Sequence, residues 1–310
     1  MTALDDRLAG YLAVRRALGY RLARTEKLLA QFIAWLRARG EQAITTDLAL
    51  EWATLPPATG SNWHAQRLSV VRTFAAHLHA LDPAHEIVPQ ELLPQRPHRA
   101  VPYLYTDSEV LALIDAASVI PTPHRAVTMR TLIALLAVTG MRIGEAIRLD
   151  RGDIDHARDT LTVRESKFGK SRQLAVDPST TEALRAYLRR RDRPVPTEPT
   201  PAVFTSAAGT RLAYCNVHLA FKQIVTHAGL RSRSAMCRPR PHDLRHTFAV
   251  NTLLEAYRDG DSEHIQTRLA LLCTYLGHVD PGSTYWYLQA APELLALAAG
   301  RLEIAEGGAR

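Results

Sequence analysis

Apolar residues recur at helical spacing through the first eighty or so positions. Leu8, Leu12, Val14 and Leu18 mark one segment. Leu28, Leu29, Phe32, Ile33 and Leu36 mark a second, which Gly40 ends. Thr46, just before Asp47, reads as the N-cap of a short third helix. A fourth starts near Ser61 and runs through Leu68, Val71, Phe74, Leu78 and Leu81. Four helices with short connections predict a small helical domain. Prolines 83, 89, 94, 97 and 102 then break the pattern and stiffen the chain. The expected division is therefore a helical domain over 1–90, a linker over 91–104 and a second domain over 105–310.

The second domain opens on Thr106-Asp107-Ser108-Glu109, a capping-box pattern that starts a helix. Another helix is expected over about 124–138. Thr160–Val163 and Gln173–Val176 have strand character and flank the turn Phe168–Ser171, so they predict a hairpin. A proline-rich loop covers 194–201, and helices follow over about 214–228, 243–256, 264–276 and 291–300. The expected fold is mainly α with a small β-sheet.

A chain of 310 residues suits about two domains. Apolar residues at 46% and charged residues at 22% fit an ordinary globular protein. No run of about 18 apolar residues occurs, so no membrane-spanning helix is expected. The N-terminal segment has two acids and no apolar core, unlike a signal peptide. Three cysteines, Cys215, Cys237 and Cys273, have no CxxC spacing. That predicts neither a disulfide framework nor a metal site, and suits the reducing cytoplasm. The net charge of +7 points to an acidic partner such as nucleic acid. Its distribution sharpens this: Arg231, Arg233, Arg238, Arg240 and Arg245 face a single acid, Asp243, within one short stretch.

Four segments have chemical potential. In Thr139-Gly140-Met141-Arg142-Ile143-Gly144-Glu145 an apolar helix ends at a turn, and an arginine follows at once. Such a turn can present Arg142 into a cleft, or simply to solvent. Lys167 and Lys170 sit in the hairpin turn, where an ammonium can donate a proton or stay solvated. His242 and Arg245 are three apart and share a helix face, which suits one phosphate. His64 and Arg67 have the same spacing, so the spacing alone says little. Finally, His278 precedes the aromatic string Tyr285-Trp286-Tyr287, where aromatics serve as packing or as a nucleophile.

In this order the segments resemble the tyrosine recombinase (phage integrase) family, over about residues 104–300. Its catalytic domain has, in sequence, Arg, Lys, His-x-x-Arg, His or Trp, and Tyr. The matching positions are Arg142, Lys167, His242, Arg245, His278 and Tyr287. Lys170 is the weaker alternative to Lys167. Tyr287 lies at the family's nine-residue spacing from His278, with Tyr285 the competitor. The Tyr285-containing string further resembles transposon-borne integrases.

The resemblance implies an N-terminal core-binding (SAM-like) domain and a catalytic domain closing on DNA as a C-shaped clamp. It implies cleavage through a 3′-phosphotyrosine, with no metal or other cofactor. The implied partners are double-stranded DNA with an inverted-repeat core site and a homo-tetramer on that DNA, with partner recombinases left open. Lys27, Arg67, Arg72, Lys170 and Arg240 are the candidate DNA contacts. Gly140, Glu145 and His246 are expected to be structural: a turn, a helix position and a supporting contact. Two other readings stay open, a type IB topoisomerase-like enzyme and a DNA-binding regulator without catalysis.

Overall fold

The computed structural model describes residues 3–20, 22–55, 61–94, 101–164, 171–194, 199–259 and 262–277, with Leu294 and Leu297. The chain divides into two compact units, Met1–Arg99 and Ala100–Arg310.

The first unit holds α1 (Ala3–Ala17), α2 (Ala23–Ala38), α3 (Thr46–Thr54) and α4 (Ser61–His79). Its core is built on Phe32, Phe74, Trp52, Leu29 and Leu36. Phe32 and Trp52 meet edge to face at 5.1 Å. Three expectations shift. The buried stripe of α1 is Leu4, Leu8, Tyr11 and Leu12. Val14 is 56% exposed, because two residues past Leu12 turn it about 200° off that stripe. Leu18 lies beyond the helix end and is exposed, as is Leu81. The N-cap of α3 is Thr45 rather than Thr46: its hydroxyl accepts the Leu48 N–H at 3.2 Å.

The second unit contains α5 (Asp107–Ala116), α6 (Pro123–Thr139), α7 (Ile143–Arg148), β1 (Ile154–Asp155), β2 (Thr160–Val163), β3 (Arg172–Ala175), α8 (Pro178–Leu188), α9 (Tyr214–His227), α10 (Pro241–Asp259) and α11 (Ser262–Leu276). The capping box at Thr106 and Glu109 forms as expected. The strands make one antiparallel sheet in the order β1-β2-β3, with Val163 opposite Arg172 and Thr160 opposite Ala175. β3 thus begins and ends one residue earlier than the alternation suggested. α7 and β1 are too short to show a period, whereas α8 has one that sequence reasoning missed, with Thr181, Leu184 and Tyr187 buried at every third position. α6 runs through the middle of the unit and buries Met129, Leu132, Ile133, Leu135 and Leu136 between α5, α8 and α10.

Residues 101–105 enter this unit in extended form and are anchored to its distant end. The Tyr105 N–H donates to Thr247 Oγ1 at 2.9 Å, and the Tyr105 hydroxyl to the Arg240 carbonyl at 3.0 Å. α10 and α11 share a separate cluster of Ala249, Val250, Leu253, Leu272 and Leu276. Of the helix expected over 291–300, only Leu294 and Leu297 are described, and Leu294 is fully buried in that same cluster. No helix among the described residues is long and apolar enough to cross a membrane.

Candidate active site

Gly140 stops α6. It adopts a left-handed conformation (φ +57°), and its N–H closes the helix on the Leu136 carbonyl at 3.0 Å. The turn also needs a residue without a side chain, because a Cβ on Gly140 would lie 2.4 Å from Phe248 Cδ1. Two residues later Arg142 occupies the N-cap of α7 in extended backbone. The Glu145 carboxylate accepts both its N–H (2.9 Å) and its guanidinium (2.8 Å). Arg142 is therefore presented between two helices, with its side chain still 26% exposed.

His242 and Arg245 occupy the first turns of α10. Pro241 opens the helix, where its missing N–H is not needed. Arg245 is 2% exposed. One of its amino groups donates to the Gly140 carbonyl at 2.8 Å and the other to the Leu276 carbonyl at 2.7 Å. Arg142 reaches the adjoining Gly277 carbonyl at 3.4 Å. The Leu276 carbonyl that ends α11 and the Gly277 carbonyl just after it thus take one arginine each. The histidine expected to act follows them directly in sequence.

The His242 ring sits edge to face on His246 at 4.7 Å. Loss of surrounding solvent, followed by the charges of Arg245, Arg142 and Arg240, pushes its pKa down to about 4. The residue nevertheless keeps an exposed face. The three guanidinium charges are thus the firmer cause of the shift. The neutral form of His242 is therefore favoured at pH 7.

Glu145 does more than occupy a helix position. It is 2% exposed and also takes a two-pronged ion pair from Arg172, at 2.9 and 3.2 Å. Burial alone would raise its carboxyl pKa. Hydrogen bonding and charge from Arg172, then from Arg142, override burial and hold the pKa at about 2. Sequence reasoning passed over Arg172. The available signal was a charged residue on the strand face shared with the buried Leu174.

The remaining candidates separate. Lys167, Lys170, His278, Tyr285 and Tyr287 lie outside the described residues. In the basic stretch, the Arg240 guanidinium is held by the fully buried Asp243 at 2.9 and 3.0 Å. Arg233 lies over the Tyr103 ring at 4.3 Å. In the first unit Lys27 is exposed, and Arg72 is half-buried beside Ser69. Arg67 is a correction. Only 7% exposed, it donates to the Trp52 carbonyl at 2.7 Å, and its guanidinium lies 3.6 Å from the Trp52 ring centre. That side chain supports the core and is not presented to DNA. Among the described residues no group of His, Cys, Asp or Glu is placed to hold a metal ion.

Residues 104–293 match the model of the phage integrase family. The chain belongs to that family. It is a tyrosine recombinase, an enzyme of site-specific DNA recombination. The family includes similar proteins along the full length. A Sinorhizobium fredii protein that bears the name integrase/recombinase y4rB is 41% identical, over 98% of each chain. The tyrosine recombinase XerD of Mycobacterium leprae is 34% identical over 54% of this chain and 53% of its own. In fold, the integrase of transposon Tn1549, solved with a circular intermediate DNA, matches at a TM-score of 0.62 and 15% identity over 96% of this chain and 99% of that one. XerH bound to its difH substrate matches at 0.59 and 19% identity over 84% and 73%.

Proposed function

We propose that the chain cleaves and rejoins double-stranded DNA through a 3′-phosphotyrosine on Tyr287, serving integration, excision or transposition of a mobile element. Arg142 and Arg245 bind the non-bridging oxygens of the scissile phosphate, with His278 beside them. Fixed cations in such a site stabilise the charge that builds at phosphorus. The Tyr287 oxygen attacks phosphorus, and its proton passes to neutral His242. The bond to the 5′-oxygen breaks, and Lys167 protonates that departing oxygen to leave a 5′-hydroxyl. A 5′-hydroxyl from another strand reverses these steps, so the phosphodiester energy is conserved without a cofactor.

The observation that supports this reading is the seating of both arginines on the Leu276 and Gly277 carbonyls, with His242 one turn from Arg245. The proposed setting is the cytoplasm. There the enzyme works as a tetramer on an inverted-repeat core site, with Lys27, Arg72, Lys170 and Arg240 contributing to the grip on DNA.

The test is recovery of covalent protein–DNA adducts from cells expressing wild type, Tyr287→Phe or Tyr285→Phe, with sequencing of the attached DNA. Adducts are expected from wild type and Tyr285→Phe, at a recurrent inverted repeat, and not from Tyr287→Phe. Adducts that persist in Tyr287→Phe and vanish in Tyr285→Phe refute the assignment.

A further inference from the structure

The ion pair between Arg172 and Glu145 has no part in the reaction just described. Yet it sits directly behind the phosphate-binding arginine. Arg172 side-chain exposure is 12% and that of Glu145 is 2%, so neither charge is diluted by water. Both Glu145 oxygens are taken twice: Oε1 by Arg142 Nη1 and Arg172 Nη1, and Oε2 by the Arg142 N–H and Arg172 Nη2. Two guanidiniums around one carboxylate leave the group with one net positive charge. Without Arg172 the charge of Arg142 would be cancelled by Glu145 alone.

The same guanidinium fixes the neighbouring backbone. Its Nε donates to the Tyr275 carbonyl at 2.7 Å, in the last turn of α11. The next two carbonyls of that turn hold Arg245 and Arg142. Gly277 makes room for this: its φ is +68°, and a Cβ there would lie 3.0 Å from Arg172 Nη1. Arg172 also begins β3, the strand that leaves the lysine turn. One side chain therefore joins the hairpin, α7 and the end of α11.

We propose that Arg172 is a positioning residue for Arg142: it shares the Glu145 carboxylate, keeps the charge of Arg142 available to the phosphate, and holds the last turn of α11 in place. The proposal rests on Arg142 being a phosphate ligand.

The experiment measures the initial rate of covalent adduct formation on a nicked duplex bearing the site recovered from cells, with purified full-length variants whose melting is recorded. Arg172→Met should slow adduct formation by about 10²-fold, the usual scale for losing one fixed charge contact. Adding Glu145→Gln to that variant removes the uncompensated carboxylate and should restore at least tenfold of the loss. Arg172→Lys, which keeps the charge but not the fork, should fall between. Rescue of the rate without a matching change in melting is the decisive readout, because a purely structural arginine would show its loss, and its relief by neutralising the buried carboxylate, in melting as well. A wild-type rate in Arg172→Met beside an inactive Arg142→Ala overturns the proposal alone. A double variant no faster than Arg172→Met, with unchanged melting, also overturns it. If Arg142→Ala itself cleaves like wild type, the phosphate-ligand reading fails and the proposal falls with it.

Discussion

Replacing Gly140 by alanine adds one methyl group, at a point where backbone and packing both refuse it. The left-handed backbone at φ +57° costs an L-residue about 1–2 kcal/mol. The new Cβ would lie 2.4, 2.9 and 3.2 Å from three atoms of the Phe248 ring, the first two shorter than any real contact. Phe248 cannot retreat freely, because it stacks on Tyr275 at 5.7 Å. Overpacking of this kind costs about 1–3 kcal/mol. The sum, about 2–5 kcal/mol, should lower the melting temperature of the second unit by roughly 4–20 °C, at about 2–4 °C per kcal/mol for a unit of this size. Relief of the clash moves the carbonyl that holds Arg245, so strand cleavage should fall more than folding does. Gly144→Ala is the matched control. It lies within α7 without positive φ, and its nearest new neighbour is the flexible Arg148 tip at 3.5 Å. Gain of helix propensity should leave it neutral or slightly more stable. Thermal melts and adduct formation on the same preparations check both variants. Equal melting of Gly140→Ala and wild type would refute the argument.

Two further outcomes are expected. Because the His242 pKa is depressed to about 4, below an unfolded value near 6.5, the neutral ring is favoured by folding. Its contribution is fully present above pH 6.5 and lost as pH falls through 4. The cleavage rate should then show no inflection near pH 6.5 that His242→Asn removes, and a pH profile containing one would contradict the geometry. Arg67→Met should destabilise the first unit by leaving the Trp52 carbonyl unpaired, at about 1–3 kcal/mol, without altering the salt dependence of DNA binding. Lys27→Ala and Arg72→Ala should do the opposite, each reducing the salt slope by about 0.9 with melting unchanged. The reverse pattern in melts and salt titrations would return Arg67 to the DNA surface.

Features set by neighbours in sequence were readable before any coordinates. The capping box at Thr106, the stop at Gly140, and the placing of Arg142 and of the His242–Arg245 pair all depend on residues within about four positions of one another. Helical spacing likewise found the core of α2, where Leu28, Leu29, Phe32, Ile33 and Leu36 are all buried. The same spacing misled in α1, where Val14 continues an apolar count but not the buried face. The two His-x-x-Arg pairs show the limit most clearly. His64–Arg67 and His242–Arg245 are indistinguishable by spacing, yet Arg67 covers a tryptophan and Arg245 braces the site. Arg172 was only half readable for a related reason. Its place on the face of the buried Leu174 signals a need for a partner, but the partners Glu145 and Tyr275 are 27 and 103 positions away and nothing local names them.

The two carbonyls that seat Arg245 lie 105 residues before it and 31 after it. The first is already outside the ribosome when Arg245 emerges, and the second is not. At about 5–20 residues per second, the growing chain waits roughly 2–6 s before Leu276 follows. Throughout that interval the guanidinium lacks its second support. A polypeptide that stops short of Leu276 never gains it. Interrupted synthesis therefore leaves fragments in which Arg245 has only the Gly140 carbonyl. The fold thereby withholds the complete seat of Arg245 until Leu276 has been synthesised.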